Sequence, residues 1–313
     1  MADLYYHIQD EVCTLANSQV TQDYQLWDGS STSPFYGCDV VTYNDQVISL
    51  PDQCNYLFGN IKSIDPTKFI TSGVSNMQGM FSYSTVTSLD LSSWDVSRVT
   101  NMATMFASCT KLVSINVSGW DTSKVTDMNY IFYNCYLLSS VELTSWDTSK
   151  VVNFFRAFYN CQSLTSLDLS TWDTSSVTNM NEMFDGCRKL VTIDITNWTV
   201  ANLIYGSLTF SYCGELTTII TKPNTNWQTE ILNLDWMNFY DMFSKSVKLK
   251  NWDGKTNITK ANSIDGYFTA AQTNKYSVYE KDAGVWKEGS LYIKDSTNWS
   301  SLSVYLKENN SWD

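Results

Sequence analysis

Between residues 86 and 220 the chain alternates short apolar clusters with hydroxyl-rich and acidic stretches, and the whole pattern returns every 26 residues. Trp94, Trp120, Trp146, Trp172 and Trp198 form one column of this repeat. Cys109, Cys135, Cys161, Cys187 and Cys213 form a second, Phe106, Phe132, Phe158, Phe184 and Phe210 a third, and Leu112, Leu138, Leu164, Leu190 and Leu216 a fourth. Four columns that stay in phase over five units predict a solenoid, because each unit is too small to bury its apolar face alone and must stack on its neighbours.

Within a unit, steps such as Leu89-Asp90-Leu91 and Leu167-Asp168-Leu169 alternate apolar and polar positions, the two-residue period of a short strand. The apolar residues Met180, Met183, Phe184, Cys187 and Leu190 fall three and four apart, which predicts a short amphipathic helix. Between them runs Trp-Asp-Thr-Ser-Lys-Val, where Asp121 or Asp147 is expected to fold its carboxylate back onto the backbone in an Asx turn. The predicted fold class is an α/β repeat, a solenoid with one short parallel strand plus one short helix per 26-residue coil, the coils stacked about 4.8 Å apart.

Fainter copies at Phe58, Ile64, Phe69, Val74 and Met77, and at Phe239, Met242 and Phe243, extend the array to six or seven coils. A three-residue slip around Pro223, between Ile219 and Trp227, is expected to loosen the stacking. The last forty residues carry a different period, 13, with Tyr279, Tyr292 and Tyr305, Lys281, Lys294 and Lys307, and Trp286, Trp299 and Trp312 in register. Each of these units reads as strand, polar turn such as Asp282-Ala283-Gly284, and strand. The chain therefore divides into an N-terminal region at 1–51, an anchor or cap; the solenoid at 52–222; degenerate repeats and a C-terminal cap at 223–275; and a small β module of three repeats at 276–313.

Charge removes one class of partner. With 20 Lys and Arg against 32 Asp and Glu, the net charge of −12 gives no cationic footprint for nucleic acid. No 18-residue apolar stretch occurs, so no membrane insertion is expected, and the start Met1 to His7 lacks a secretory pattern, which predicts synthesis in a cytoplasm.

The eight cysteines, Cys13, Cys38, Cys54 and the five of the ladder, are expected to be reduced and buried, because equivalent positions on adjacent coils present parallel side chains that suit the roughly 90° disulfide torsion poorly. With no C-x-x-C pair and only one histidine, His7, no transition-metal site is expected. The Trp column could face outward as a stacking surface for sugars or inward as a core seam, and its strict spacing favours the seam. One column does carry candidate chemistry: Asp90, Asn116, Glu142, Asp168 and Asp194, flanked by hydroxyls from Ser88 to Thr196. Such a strand face can hydrogen-bond sugars or gather Ca²⁺ as a cofactor through oxygen ligands, or can simply be solvated. No nucleophile elbow, P-loop, dinucleotide fingerprint or H-E-x-x-H occurs, and a column of like carboxylates is a poor acid/base pair. A non-enzymatic chain is expected; a carbohydrate-active enzyme using the acidic column is the third choice.

The string W-D-T-S-x-V-T-N-M-x-x-M-F-x-x-C-x-x-L resembles the BspA-like leucine-rich repeats of bacterial surface proteins over about half the chain. The resemblance implies a leucine-rich-repeat-type solenoid and a role in adhesion or host interaction, and similar repeats occur in proteins carried by bacteriophages. The Tyr-x-Lys-turn-Trp tail resembles the tails of some phage virion proteins. Together these imply a virion-associated structural or receptor-binding protein, homo-oligomeric, made in a host cytoplasm and meeting other virion proteins or a cell-surface glycan or protein receptor. The alternative is an adhesin on the bacterial cell surface.

Overall fold

The inward-pointing columns set the architecture: each 26-residue unit forms one turn of a parallel β-solenoid of about seven turns, and the apolar columns of successive turns stack into one continuous core. A computed structural model describes residues 4–9, 12–16, 25–27, 40–43, 47–231, 238–249 and 267–270, with short strands at 279–282, 285–288, 307–308 and 311–312. It divides into two units, 1–270 and 271–313.

In the first unit, β1 (Tyr5–Gln9) and β2 (Val12–Ala16) form a hairpin, β3 (Gln25–Leu26) flanks β1, and β4 (Val40–Tyr43) runs parallel to β2. Leu4, Cys13, Leu15, Trp27 and Val41 from this segment join the same buried cluster as the first coils. Tyr43 ties the two together, with its ring edge-on to Phe69 at 5.5 Å and its hydroxyl accepting from the Asp65 amide.

The coils then begin. Strands β5 (Ile48–Ser49) and β6 (Phe69–Ile70) pair in parallel, as do β7 (Ser88–Asp90) and β8 (Ser114–Asn116). Strands β9 (Ser166–Asp168), β10 (Thr192–Asp194), β11 (Thr218–Thr221) and β12 (Phe268–Ala270) continue as one four-stranded parallel sheet. A second ladder of parallel bridges joins Gln53, Asn76, Asn101, Asp127, Asn153, Asn179 and Tyr205.

The expected helix is absent, and the backbone bonding gives the reason. Across Met128 to Cys135, alternate amides leave the coil: those of Met128, Tyr130, Phe132 and Asn134 donate to the carbonyls of Asn153, Phe155, Ala157 and Tyr159 in the next coil. The intervening amides of Ile131, Tyr133 and Cys135 donate three residues back. An α-helix needs every amide for its own i→i−4 bond, so a segment that spends half of them on its neighbour cannot be helical. Two left-handed residues per coil, such as Tyr130 and Asn134, Arg156 and Asn160, or Glu182 and Gly186, make the tight turns. Turns of four residues place apolar side chains inward at the same three-and-four spacing as a helix, so the pattern alone reads as either.

The slip at Pro223 does not interrupt the stack. The added residues are taken up ahead of Trp227 by a turn in which the Thr225 amide and hydroxyl both donate to the Lys222 carbonyl; a single helical turn follows, α1 (Trp227–Glu230), capped by Asn226 and by Glu230, whose carboxylate accepts from the Asn226 amide at 2.9 Å. Trp227 thereby keeps the indole column, stacked on Trp198 at 6.4 Å, and Phe210 stacks on Phe243 at 5.8 Å.

In the second unit, β13 (Tyr279–Asp282) pairs antiparallel with β14 (Val285–Glu288), and β15 (Lys307–Glu308) with β16 (Ser311–Trp312). Both hairpins set Lys opposite Trp, Lys281 with Trp286 and Lys307 with Trp312, so the 13-residue repeat folds alike twice. The middle repeat around Tyr292, Lys294 and Trp299 lies outside the described residues, as do Tyr305, the turn residues Ala283 and Gly284, and Cys38.

Candidate functional site: the outward faces of the coil

What remains for function lies outside the core, so the inward columns are placed first. All five repeat indoles are buried, and Trp120, Trp146 and Trp172 stack in parallel at 6.0 and 6.3 Å. The Nε1 groups of Trp120, Trp172 and Trp198 donate to the carbonyls of Leu91, Leu143 and Leu169 on the preceding coil. Beside them runs a file of Phe rings from Phe58 through Phe81, Phe106, Phe132, Phe158, Phe184 and Phe210 to Phe243, with neighbouring centroids 5.3 to 5.8 Å apart.

The five ladder cysteines are buried free thiols, each donating to the carbonyl of the Phe one coil back: Cys135 to Phe106, Cys161 to Phe132 and Cys187 to Phe158, all at 3.1 Å. Burial pushes the Cys109 thiol up to about 12, and those of Cys135, Cys161 and Cys213 well above the usual range, so these are not nucleophiles. The ladder continues at both ends with serine: Ser84 donates to Phe58 at 2.7 Å, and Ser246 to Phe210. The column thus selects a small side chain with a donor, and thiol and hydroxyl both serve. Cys161→Ser is expected to leave the denaturation midpoint nearly unchanged. Cys161→Val, which leaves the Phe132 carbonyl with only its bond from the Cys135 amide and adds a branched side chain to a filled core, should lower it clearly in the same urea titration.

On the strand face, Asp90, Asn116, Glu142 and Asp168 are exposed and Asp194 is half-buried. Each is engaged locally: its side-chain oxygen accepts from the backbone amide two residues on, at Ser92, Ser118, Thr144, Ser170 and Thr196, at 2.9 to 3.1 Å. The corner acids Asp95, Asp121, Asp147 and Asp173 do the same to Ser97, Ser123, Ser149 and Ser175. A third set, Asn76, Asn101, Asp127, Asn153 and Asn179, closes the bridge turn in the same way. Three such turns per coil account for the Asp and Asn columns as conformational devices. Among the described residues, no three His, Cys, Asp or Glu side chains gather into a metal-binding set.

Glu142 is the outlier of its column. Between β8 and β9 the strand ladder lapses: Ser140 bridges Ser114, but the coil contributes no strand, and Val141 is only partly buried. The longer Glu side chain still takes up the same turn bond, accepting from the Thr144 amide at 3.0 Å.

The turn face holds a feature that the consensus columns hide. Tyr133 and Tyr159 stack at 5.2 Å, and Tyr130 meets Tyr133 and Phe155 edge-on at 5.1 and 5.0 Å. Arg156 lies among them, its guanidinium carbon 5.0 Å from the Phe155 centroid, 5.1 Å from that of Tyr159 and 5.9 Å from that of Tyr130. Glu182 of the next coil clamps it from two sides, Nε and Nη2 each donating to one carboxylate oxygen at 2.9 Å. All of these residues are half-buried. The signal was present in the variable positions of N-M-x-x-M-F-x-x-C, where two aromatic residues enter together only in the units of Tyr130 and Phe155, the second of which also carries Arg156.

Burial pushes the neighbouring Asp185 carboxyl up to about 6, with the Glu182 charge adding to the effect. Hydrogen bonds from Ser97, Ser123, Ser149 and Thr144 hold Asp95, Asp121, Asp147 and Glu142 below the usual range. The two groups act oppositely on stability. Because folding raises the Asp185 value, protonating it favours the fold, and stability should rise as pH falls from about 7 towards 5. Because folding lowers the turn carboxylates, their contribution is present above about pH 4 and is lost as they protonate below it. Thermal unfolding across this range should show a maximum near pH 5, and Asp185→Asn should abolish the rise on its alkaline side.

Comparison with known proteins adds one finding. The family model described as Mycoplasma protein of unknown function, DUF285, matches residues 52–166, 138–252 and 166–281, which spans the region of the repeats that resemble the BspA-like type. No curated protein matches the chain, and no solved structure does.

Proposed function

The chain belongs to the DUF285 family, and from that premise we propose that it is a non-enzymatic display protein, a virion-associated structural or receptor-binding component that presents the outer faces of a rigid solenoid to a partner. The observation that carries this reading is the division of labour within each coil. Trp, Phe, Cys and Leu are consumed by the core, the Asp and Asn columns close turns, and nothing in the repeat is arranged as an acid, base or nucleophile. Rigid elements hold recognition groups better than loops do, and a stack of coils bonded at two ladders per turn offers such a platform.

The placement on a virus particle leans on the C-terminal segment, whose two described hairpins fold alike and whose Tyr-x-Lys-turn-Trp sequence pattern resembles the tails of some phage virion proteins. Residues 1–51 serve as cap and attachment region in this scheme, and symmetric homo-oligomers are the expected form, as for most assemblies. The partner is another virion protein or a cell-surface glycan or protein. Mass spectrometry of purified particles tests the placement. The chain should be present in fixed stoichiometry with the capsid proteins. Its recovery instead as a protease-accessible protein on intact bacterial cells, absent from particles, would favour the adhesin that the BspA-like repeats suggest.

A further inference from the structure

We propose that recognition is carried by the turn face rather than the strand face, through the platform of Tyr130, Tyr133, Phe155, Arg156 and Tyr159, and that its ligand is a neutral saccharide. This rests on the display role proposed above and names the surface and ligand class for it.

The repeat supplies its own control. The positions of Tyr130 and Tyr133 are held by Gly79 and Ser82 two coils earlier, by Thr104 and Ala107 one coil earlier, and by Leu208 and Ser211 near the end of the array. Those coils stack, bridge and bond like the others, so the fold does not require aromatic rings there. Four rings and an arginine nevertheless converge on two adjacent coils, at the middle of the array and partly in solvent. Tyr and Arg so arranged are the residues that dominate binding energy at recognition surfaces.

The platform is also preorganised. Arg156 is pinned by its two bonds to Glu182 and by three ring faces, while the Tyr133–Tyr159 stack and the edge-on contacts of Tyr130 fix the ring planes. Little side-chain freedom is left to lose on binding, which lowers the entropic cost of association. The partly exposed rings of Tyr130, Tyr133 and Tyr159 set apolar surface beside phenolic hydroxyls, the pairing that a pyranose matches with its C–H groups and its own hydroxyls.

Charge narrows the class. The Arg156 charge is already matched by Glu182, Asp185 lies beside that pair, and the chain carries −12 overall, so sialylated or sulfated sugars are disfavoured and neutral ones fit. No carboxylate cluster for Ca²⁺ is involved, so binding should be independent of that ion.

The test is an array of immobilised mannose-, galactose- and N-acetylglucosamine-terminated, sialylated and sulfated oligosaccharides probed with the full chain, with Ca²⁺ and with chelator. Binding should be confined to neutral sugars and indifferent to Ca²⁺. Tyr133→Ala and Tyr159→Ala should each weaken it at least about tenfold. Tyr159→Phe, which keeps the ring stack, should retain it, and the paired Glu142→Ala and Asp168→Ala variant should bind as the parent does. Thermal unfolding of each variant separates lost binding from lost fold, and Tyr159→Phe keeps the question open to decision should the alanine variants be unstable. Binding confined to anionic sugars, binding that survives both folded alanine variants, or no binding to any sugar overturns the proposal. Loss in the strand-face variant alone would move the site to that face, and a chain that binds no sugar yet occurs in purified particles would retain its display role. Either result leaves the proposed function standing without this site.

Discussion

Phe158→Ala is expected to destabilise the solenoid by about 3–5 kcal/mol. Phe158 is fully buried and touches both neighbours of its file, with centroids 5.5 Å from Phe132 and 5.5 Å from Phe184. It also approaches Trp172 at 6.4 Å, where the Phe file meets the indole seam. Coils on either side are held apart by their own ladders and cannot collapse into the void, so the loss includes most of the cavity cost as well as the transfer term. Because stability in a linear array is a sum of unit and interface terms, a break at the central coil weakens two interfaces at once. Urea denaturation should show a large drop in midpoint, and the paired Glu142→Ala and Asp168→Ala variant, which removes two exposed turn bonds, should lose at most about 1 kcal/mol per site. Equal losses from the two variants would show that the faces are wrongly assigned.

The second large effect belongs to Gly186→Val. Gly186 adopts φ +77°, in the left-handed region, and a Cβ added there would stand 2.3 Å from Asn160 Oδ1. Left-handed backbone at a β-branched residue costs about 1–3 kcal/mol by itself, and the Asn160 side chain must also leave its bond to Asn134. The two contributions separate in a double-mutant cycle. In an Asn160→Gly background the collision disappears and only the backbone strain remains, so Gly186→Val should cost visibly less there. An equal cost in both backgrounds would mean that Asn160 does not crowd the site. Asn134 and Asn160 occupy the same left-handed position in earlier coils at φ 57°, which Asn tolerates better than other residues with a side chain.

These two residues also mark how far the amino-acid pattern carries. Phe158, Trp172 and Cys161 announce the coil by their interval alone, because a stacked array forces equivalent residues into equivalent environments. The strands follow from Leu167-Asp168-Leu169 and its copies, and the corner turns from Asp121 and Asp147, since an Asx bond depends only on a short local sequence. The departure from helix at Met180 to Leu190 has a different origin. Local spacing cannot reveal that the Glu182 and Phe184 amides bond to Ser207 and Thr209 a whole coil away. Left-handed turns at Arg156 and Glu182 are equally hidden, because neither residue is a usual signal for positive φ. The aromatic platform was obscured by the strength of the consensus: Tyr130, Phe155, Arg156 and Tyr159 sit at positions that vary from coil to coil. The strand-face acids, by contrast, stood out by their regularity, and regularity here reflects the turns they close.

The account rests most heavily on coils joined edge to edge by turns instead of packed as strand and helix. Backbone NMR of residues 127 to 187 tests this directly. Left-handed φ should be found at Tyr130, Asn134, Arg156, Asn160, Glu182 and Gly186, with the intervening residues on the right-handed or extended side. An unbroken run of helical chemical shifts through Asn129 to Leu138, or through Asn181 to Leu190, would contradict it.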